Sequence, residues 1–177
     1  LLGNTGEPGL QVWDTAGHFV ADIADGYPMP LPRSSYYLTQ SLSQERLLWS
    51  FERPSIPMLV SAQGNVNLAS SDRNETRLVT ASGNTLFLWN DKGEQAGRTR
   101  TLPDPIVSLR MSEDGQRVLA VTSTPSRCWL WNLTTDSEPL LLPNGGDSSF
   151  CFMFRTGGQT RIGGLAANGE VIQWSDT

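Results

Sequence analysis

The sequence is poor in the residues on which most metal and nucleophilic sites depend. It contains one histidine, His18, and two cysteines, Cys128 and Cys151. A Ser-His-Asp triad would need His18 as its base, but His18 stands between a turn glycine and a β-rich run, as expected of a solvent-facing strand residue. No pair of histidines or cysteines has the spacing of zinc ligands. We therefore predict no catalytic residue, no metal site and no cofactor.

Long apolar runs and basic clusters are also missing. No run of 18 apolar residues occurs, so the sequence contains no candidate membrane-spanning helix. The net charge of −5 argues against a nucleic-acid partner, which requires a clustered basic face. Cys128 and Cys151 lie in apolar strand contexts, and two lone thiols fit a reducing compartment better than a disulfide framework. We therefore expect free core thiols and a cytoplasmic protein.

Tryptophan, by contrast, recurs along the chain at nearly regular intervals of 36, 40, 42 and 43 residues. The recurring residues are Trp13, Trp49, Trp89, Trp131 and Trp174. Self-similarity near forty residues is typical of a repeat architecture. The repeat-locked position favours packing of these indoles between repeats over stacking on a cofactor.

The residues around each tryptophan predict strands joined by tight turns. Runs such as 117–121 and 161–166 precede the tryptophan runs, and the hairpins before these two runs carry Asp114-Gly115 and Gly157-Gly158, which supply positive φ. A fourth strand is expected after the tryptophan, and no stretch shows a helical period. The run 118–121 is apolar on both strand faces, so we expect it to be covered on both sides.

This pattern resembles the WD-repeat family of β-propellers. The likeness is carried by Val12-Trp13-Asp14, Leu88-Trp89-Asn90 and Leu130-Trp131-Asn132 at strand ends, and by the hairpin at 112–115. It covers 64–177 well, 1–23 fairly and 24–63 weakly. The resemblance implies four-stranded antiparallel blades that close into a ring, commonly of seven.

We therefore predict an all-β fold, a β-propeller of four-stranded antiparallel blades that forms an incomplete section of a larger ring of about seven blades. The single domain 1–177 divides into a partial blade 1–23, a degenerate blade 24–63 and regular blades 64–103, 104–145 and 146–177. An open arc would leave a bare face of roughly 330 Å² at each end. We expect the rest of the propeller, a second copy or another partner to cover it.

One segment, 25–37, breaks the repeat and holds all three tyrosines of the chain. It concentrates residue types that are enriched at protein interfaces. From it we predict these partner-binding residues: Tyr27, Met29, Arg33, Tyr36 and Tyr37. A connector packed on the propeller is the alternative interpretation of this segment.

The sequence favours a non-enzymatic protein-interaction scaffold that docks peptides or proteins on its rim loops, which is also what the WD-repeat resemblance implies. Two alternatives remain open. One is a propeller enzyme domain, a quinone-dependent dehydrogenase or a hydrolase, whose active site lies largely outside this segment. The other is a structural or self-associating propeller without a partner-specific site.

Overall fold

The computed structural model describes residues 2–4, 10–13, 16–23, 27–30, 36–40, 46–50, 58–59, 66–74, 76–135, 137–143, 150–165 and 168–174. Over these ranges every extended regular element is a β-strand, and none is a helix. The chain divides into two compact units, Leu1–Val66 and Asn67–Thr177.

The first unit contains two antiparallel sheets. The three-stranded sheet consists, in spatial order, of β1 (Leu2–Asn4), β2 (Leu10–Trp13) and β3 (Phe19–Ile23). The four-stranded sheet consists of β4 (Tyr27–Pro30), β5 (Tyr36–Gln40), β6 (Arg46–Ser50) and β7 (Met58–Leu59). Pro28 and Pro30 lie in β4 at the edge of the sheet, where a missing backbone N–H interrupts no interior ladder. The segment expected to be degenerate therefore contains four paired strands.

The second unit contains three antiparallel meanders. The first sheet consists of β8 (Val66–Ser71), β9 (Arg77–Ser82), β10 (Thr85–Asn90) and β11 (Arg100–Thr101). The second consists of β12 (Ile106–Met111), β13 (Arg117–Ser123), β14 (Ser126–Asn132) and β15 (Leu140–Leu141). The third consists of β16 (Phe150–Thr156), β17 (Gln159–Leu165) and β18 (Val171–Trp174).

The recurring tryptophans lie on corresponding strands. The four in third strands are Trp49 in β6, Trp89 in β10, Trp131 in β14 and Trp174 in β18. Trp13 lies in β2, the middle strand of its sheet, and one further strand follows it. The forty-residue rhythm therefore marks the third strand in four of the five sheets.

The core of the second unit lies between neighbouring sheets that stack face to face. On β13, Val118 and Ala120 pack against the β8–β11 sheet, in the same cluster as Val79 and Leu88. Leu119 and Val121, which point the other way, pack in a second cluster with Ile162 of the β16–β18 sheet. All four β13 residues are buried, so the expectation that this strand is covered on both sides is confirmed. Each such burial contributes about 1.5–3 kcal/mol for the larger aliphatic side chains.

The two cysteines are not free thiols. Cys128 of β14 and Cys151 of β16 form a disulfide between neighbouring sheets, with a Cα–Cα distance of 6.5 Å. The prediction of plain core thiols is therefore wrong. The strands face each other only after the sheets stack, and a separation of 23 residues in sequence does not reveal this. The cytoplasmic location loses the support of the free-thiol argument and stays a prediction.

Candidate interaction site

The residues predicted to bind a partner are divided between two adjacent strands. Tyr27 and Met29 lie in β4, whereas Tyr36 and Tyr37 lie in β5. The antiparallel register pairs Tyr27 with Gln40 and Pro30 with Tyr37, which brings these four positions onto one β-hairpin. Arg33 lies outside the described residues. Their role in binding stays a prediction.

The second unit carries an open cleft that the sequence did not indicate. It has a volume of about 270 Å³ and lies between β12 and β16, the first strands of two neighbouring sheets. The turn between β13 and β14 closes one side of the cleft. Its volume is near the lower end of the range of about 300–1,000 Å³ that is usual for ligand sites.

A β-bulge places an apolar side chain at this cleft. Ile106 pairs with Thr122, but Ser108 pairs with Val121, so Val107 is an extra residue on β12. Bulges re-aim a side chain relative to the sheet. Val107 is 55% exposed, whereas Ile106 is only 3% exposed. The bulge therefore presents Val107 to solvent instead of to the core.

Phe150 supplies a second exposed apolar group at the cleft. It is the first residue of β16, and its side chain is 58% exposed. The isopropyl group of Val107 and the ring of Phe150 line the cleft from two neighbouring sheets, and exposed apolar groups of this kind are typical of partner-binding surfaces. The cleft is therefore the best candidate interaction site among the described residues.

The rest of the lining is uncharged and, apart from Val121 and Cys151, polar. Hydroxyl groups come from Ser108, Thr122, Ser123 and Ser126, and none of the residues that line the cleft carries a charge. The Thr122 hydroxyl makes only long contacts, at 3.4 Å to the Pro125 carbonyl and 3.5 Å to the Arg127 carbonyl. Such a surface suits a neutral partner segment that combines an apolar side chain with backbone hydrogen-bonding groups.

The hairpins between the first and second strands of these sheets lie at the ends of the strands away from the cleft. In the β12–β13 loop the Ser112 hydroxyl donates to Asp114 Oδ1 at 2.6 Å, and the Gln116 N–H donates to the same oxygen at 3.0 Å. Burial alone would raise the pKa of Asp114, but these hydrogen bonds and the positive charge of Arg117 outweigh it and lower the pKa below 3.8. The turn therefore favours an ionised Asp114.

Gly115 lets this hairpin approach the preceding one closely. Its φ is +67°, a left-handed conformation that glycine adopts without strain. A Cβ at this position would lie 3.1 Å from the Cβ of Asp72, which belongs to the β8–β9 hairpin. Glu113 in the same loop is 3.9 Å from Arg73 and 3.4 Å from Arg155. These ion pairs are exposed and contribute at most about 1 kcal/mol each.

Arginines at equivalent positions connect each sheet to the next. Arg77, at the start of β9, donates from Nη1 to the Gly115 carbonyl at 2.9 Å. Arg117, at the start of β13, donates from Nη1 to the Thr160 carbonyl at 3.1 Å. Each of these arginines directly precedes the residue that pairs with the tryptophan of the next strand. Arg161 of β17 has the same position relative to Trp174 and is the third member of this series. The Arg161 Nε is buried and has no hydrogen-bond acceptor among the described residues.

The indole of Trp89 has a structural role in the β8–β11 sheet. It is 4% exposed, and its Nε1–H donates to the Thr80 hydroxyl at 2.9 Å. Thr80 lies two residues beyond Leu78, the cross-strand partner of Trp89. The hydroxyl therefore satisfies an indole donor that burial removes from water.

The corresponding positions in the next two sheets lack this hydroxyl. Ala120 occupies this position in the second sheet, two residues beyond the cross-strand partner of Trp131. Gly164 occupies it in the third sheet, two residues beyond the cross-strand partner of Trp174. The Trp131 Nε1 is buried without a hydrogen-bond acceptor among the described residues, although the Arg100 guanidinium lies 5.5 Å from its ring centroid. Trp174 donates instead to the Pro143 carbonyl at 2.8 Å.

The remaining sequence candidates do not form a reactive site in the described ranges. His18 is exposed beside the start of β3. Within the part of the chain that the structure describes, no group of three histidine, cysteine or acidic side chains could hold a metal ion. The same ranges contain no helix of sufficient length and hydrophobicity to span a bilayer.

Comparison with known proteins defines the fold. The chain is similar in structure to the β-propeller domain of Myceliophteria thermophila Cps50 (Swd1), with a TM-score of 0.55 and 13% sequence identity. The likeness covers 80% of this chain and 49% of that domain, so the chain spans about half of the length of the solved domain. No protein-family model and no curated protein sequence matches the chain.

The chain therefore has an all-β, β-propeller fold built from antiparallel sheets of up to four strands. At this level of identity the likeness establishes the fold alone. The resemblance to WD-repeat proteins that the sequence indicated is supported as far as the propeller architecture.

Proposed function

We propose that the chain is part of a β-propeller that serves as a non-enzymatic protein-interaction scaffold, and that the cleft between β12 and β16 docks an extended peptide segment of a protein partner. The observation that carries this proposal is the exposed pair Val107 and Phe150 at an open, uncharged cleft. The similarity to a propeller domain is a supporting fold-level analogy.

The lining favours a particular class of peptide. An aliphatic or aromatic side chain would bury the exposed surface of Val107 and Phe150. The hydroxyls of Ser108, Ser123 and Ser126 around them would hydrogen-bond with the peptide backbone. A charged side chain would lose hydration in this cleft without meeting an opposite charge, so we expect neutral apolar sequences to be preferred.

A selection from a phage-displayed peptide library, followed by affinity measurements on the selected peptides, tests this function. We expect Val107→Asp to weaken the binding of the selected peptides at least about fivefold, the loss that corresponds to an interface residue worth more than ~1 kcal/mol. Leu140→Asp is the matched control, because Leu140 is also 55% exposed but does not line the cleft.

An equal loss of affinity in the two variants, or no loss for Val107→Asp in a variant with an unchanged circular dichroism spectrum, would contradict docking in the cleft. The proposal assigns no reaction to the chain. A quinone absorption band in the visible spectrum of the purified protein would favour the enzymatic alternative instead.

The partners that we propose include a further sheet that covers the outer face of β16–β18. The register places Leu165 opposite both Val171 and Phe150, and these three side chains are 39%, 75% and 58% exposed. Phe154 on the same face is 36% exposed, and Phe150 therefore lies both on this face and at the cleft. Arg161 supports the same proposal, since its two equivalents donate to a hairpin carbonyl of the following sheet. The rest of a propeller ring or a second copy could supply that sheet.

Sedimentation of the purified chain over a range of concentrations, with a hydrophobic dye as a second probe, distinguishes these sources. A species of twice 19.4 kDa would indicate a second copy. A dye-binding monomer would indicate that the remainder of a ring is required. A monomer without dye binding would refute the need for a covering sheet.

The tyrosine-rich segment and the cytoplasmic location also belong to the proposal. Tyr27→Ala, Tyr36→Ala and Arg33→Ala, combined in one variant, should lower the affinity for a partner that contacts the segment. Cell fractionation with an antibody to the chain tests the location.

A further inference from the structure

The Cys128–Cys151 disulfide lies at the cleft and joins its two walls. Cys151 lines the cleft and directly follows the exposed Phe150. Cys128 is the cross-strand partner of Val121, another lining residue. The bond therefore connects the sheet that carries Val107 to the sheet that carries Phe150.

Besides the disulfide, hydrogen bonds from Arg117 to the Thr160 carbonyl and from Trp174 to the Pro143 carbonyl and a small buried cluster hold the sheet β16–β18 to its neighbour. Besides Cys151, its only fully buried contribution to the shared hydrophobic cluster among the described residues is Ile162, with Met153 and Trp174 partly buried. The neighbouring sheet pair shares a larger cluster that contains no cysteine. Loss of the disulfide should therefore loosen the β16–β18 sheet more than any other sheet of the second unit.

The two sulfur atoms differ in accessibility. Cys128 is completely buried, whereas Cys151 is 8% exposed and belongs to the wall of an open cleft. Thiol–disulfide exchange requires the approach of a thiolate to one sulfur atom. Cys151 is therefore the sulfur that a small dithiol would approach, through the cleft, and an occupant of the cleft would block that approach.

We propose that the Cys128–Cys151 disulfide is a redox switch for the cleft: its reduction releases β16–β18 from β12–β15 and separates Phe150 from Val107. The effect on peptide binding rests on the function proposed above, whereas the release of the sheet does not.

The exchange balances with a dithiol as the reductant. One thiolate attacks Cys151 Sγ and forms a mixed disulfide, while Cys128 leaves as a thiolate and takes up a proton. The second thiol of the reductant loses its proton and attacks the reductant's sulfur atom in the mixed disulfide. Cys151 is released as a thiolate, which is then protonated. Two electrons pass to the protein, and the reductant becomes a cyclic disulfide.

Binding and reduction are coupled in both directions. If the oxidised form binds a peptide more tightly than the reduced form, the peptide must favour the oxidised form by the same factor. Couplings of this kind typically amount to about 5–150-fold. We therefore expect peptide affinity to fall at least about fivefold on reduction, and the bound peptide to slow the reduction.

The first test is made on the purified chain without a peptide. Alkylation before and after treatment with dithiothreitol, read by mass spectrometry, should label neither cysteine before reduction and both afterwards. Amide hydrogen exchange of β16–β18 should then accelerate at least about tenfold, while β8–β11 should remain unchanged. Immediate labelling of both cysteines, or equal exchange in the oxidised and reduced chains, would overturn the proposal.

A double variant separates the switch from side effects of the reductant. Cys128→Ser combined with Cys151→Ser should resemble the reduced chain at all times and should not respond to dithiothreitol. Peptides selected on the oxidised chain should bind this variant as weakly as they bind the reduced chain. If Val107→Asp abolishes binding but reduction does not alter it, the docking function stands and the switch is refuted. If no peptide binds, the exchange measurement still decides whether reduction releases the sheet.

Discussion

Thr80→Val tests whether the indole hydrogen bond of Trp89 holds the β8–β11 sheet together. Valine keeps the shape of threonine but removes the hydroxyl that accepts from Nε1–H at 2.9 Å. Thr80 is fully buried and Trp89 is 4% exposed, so water cannot replace the lost acceptor without a rearrangement. A buried donor left without a partner costs about 1–3 kcal/mol.

The loss should appear both globally and at the indole itself. For a chain of this size each kcal/mol lowers the melting temperature by roughly 2–4 °C, so we expect a decrease of roughly 2–12 °C. Thermal unfolding measured by circular dichroism gives this value. Proton exchange of the Trp89 indole, followed by NMR, should also accelerate because the donor is no longer held.

Thr122→Val is the matched control for this experiment. Thr122 is also fully buried, but its hydroxyl makes only contacts of 3.4 and 3.5 Å to carbonyl oxygens and accepts from no indole. Its replacement should change stability by less than about 1 kcal/mol. Equal losses in the two variants, or a Thr80→Val protein as stable as the parent, would refute the assigned role of the hydrogen bond.

Three further predictions concern turns and the unsatisfied indole. Gly115→Ala should destabilise the chain more than Gly158→Ala in urea unfolding, because both lose about 1–2 kcal/mol to positive φ but only position 115 also meets a close neighbour. The pKa of Asp114 is lower in the folded chain, so its ionised form stabilises the fold at pH values above the ordinary pKa of 3.8. This stabilisation is lost as the pH falls through the folded-state pKa, and Asp114→Asn should therefore flatten the acid limb of the pH–stability profile. Ala120→Ser should give the Trp131 Nε1–H an acceptor, raise stability by about 1 kcal/mol and slow its indole exchange.

The strand order of the second unit could be predicted from the sequence because the information is local. Tight turns such as Asp114-Gly115 mark where a strand reverses, and alternating side-chain directions show that the strand from Val118 to Val121 needs cover on both faces. The spacing of the tryptophans then identifies one repeated strand position. None of these inferences requires knowledge of which sheets are neighbours.

The cleft could not be predicted because it depends on an irregularity in pairing. Val107 reads as an ordinary strand residue between Ile106 and Ser108, and only the register with Val121 and Thr122 reveals it as a bulge. Phe150 likewise reads as the first residue of a continuous apolar run, 150–154, and its exposure depends on what packs beside the start of β16. By contrast, the prediction that the tyrosine-rich segment binds a partner rests on its composition, which carries no information about the shape of a surface.

The amino-acid sequence by itself determined that this chain forms antiparallel sheets in a forty-residue repeat, since turn chemistry and side-chain alternation act between near neighbours. Tertiary structure alone decided that Cys128 meets Cys151, that Arg77 and Arg117 reach into the following hairpins, and that Val107 faces solvent. The disulfide and the two arginine contacts depend on the stacking of sheets whose contacting residues are 23 to 43 positions apart, whereas the exposure of Val107 depends on the register of β12 with β13. At such separations the local pattern no longer specifies which side chains approach one another.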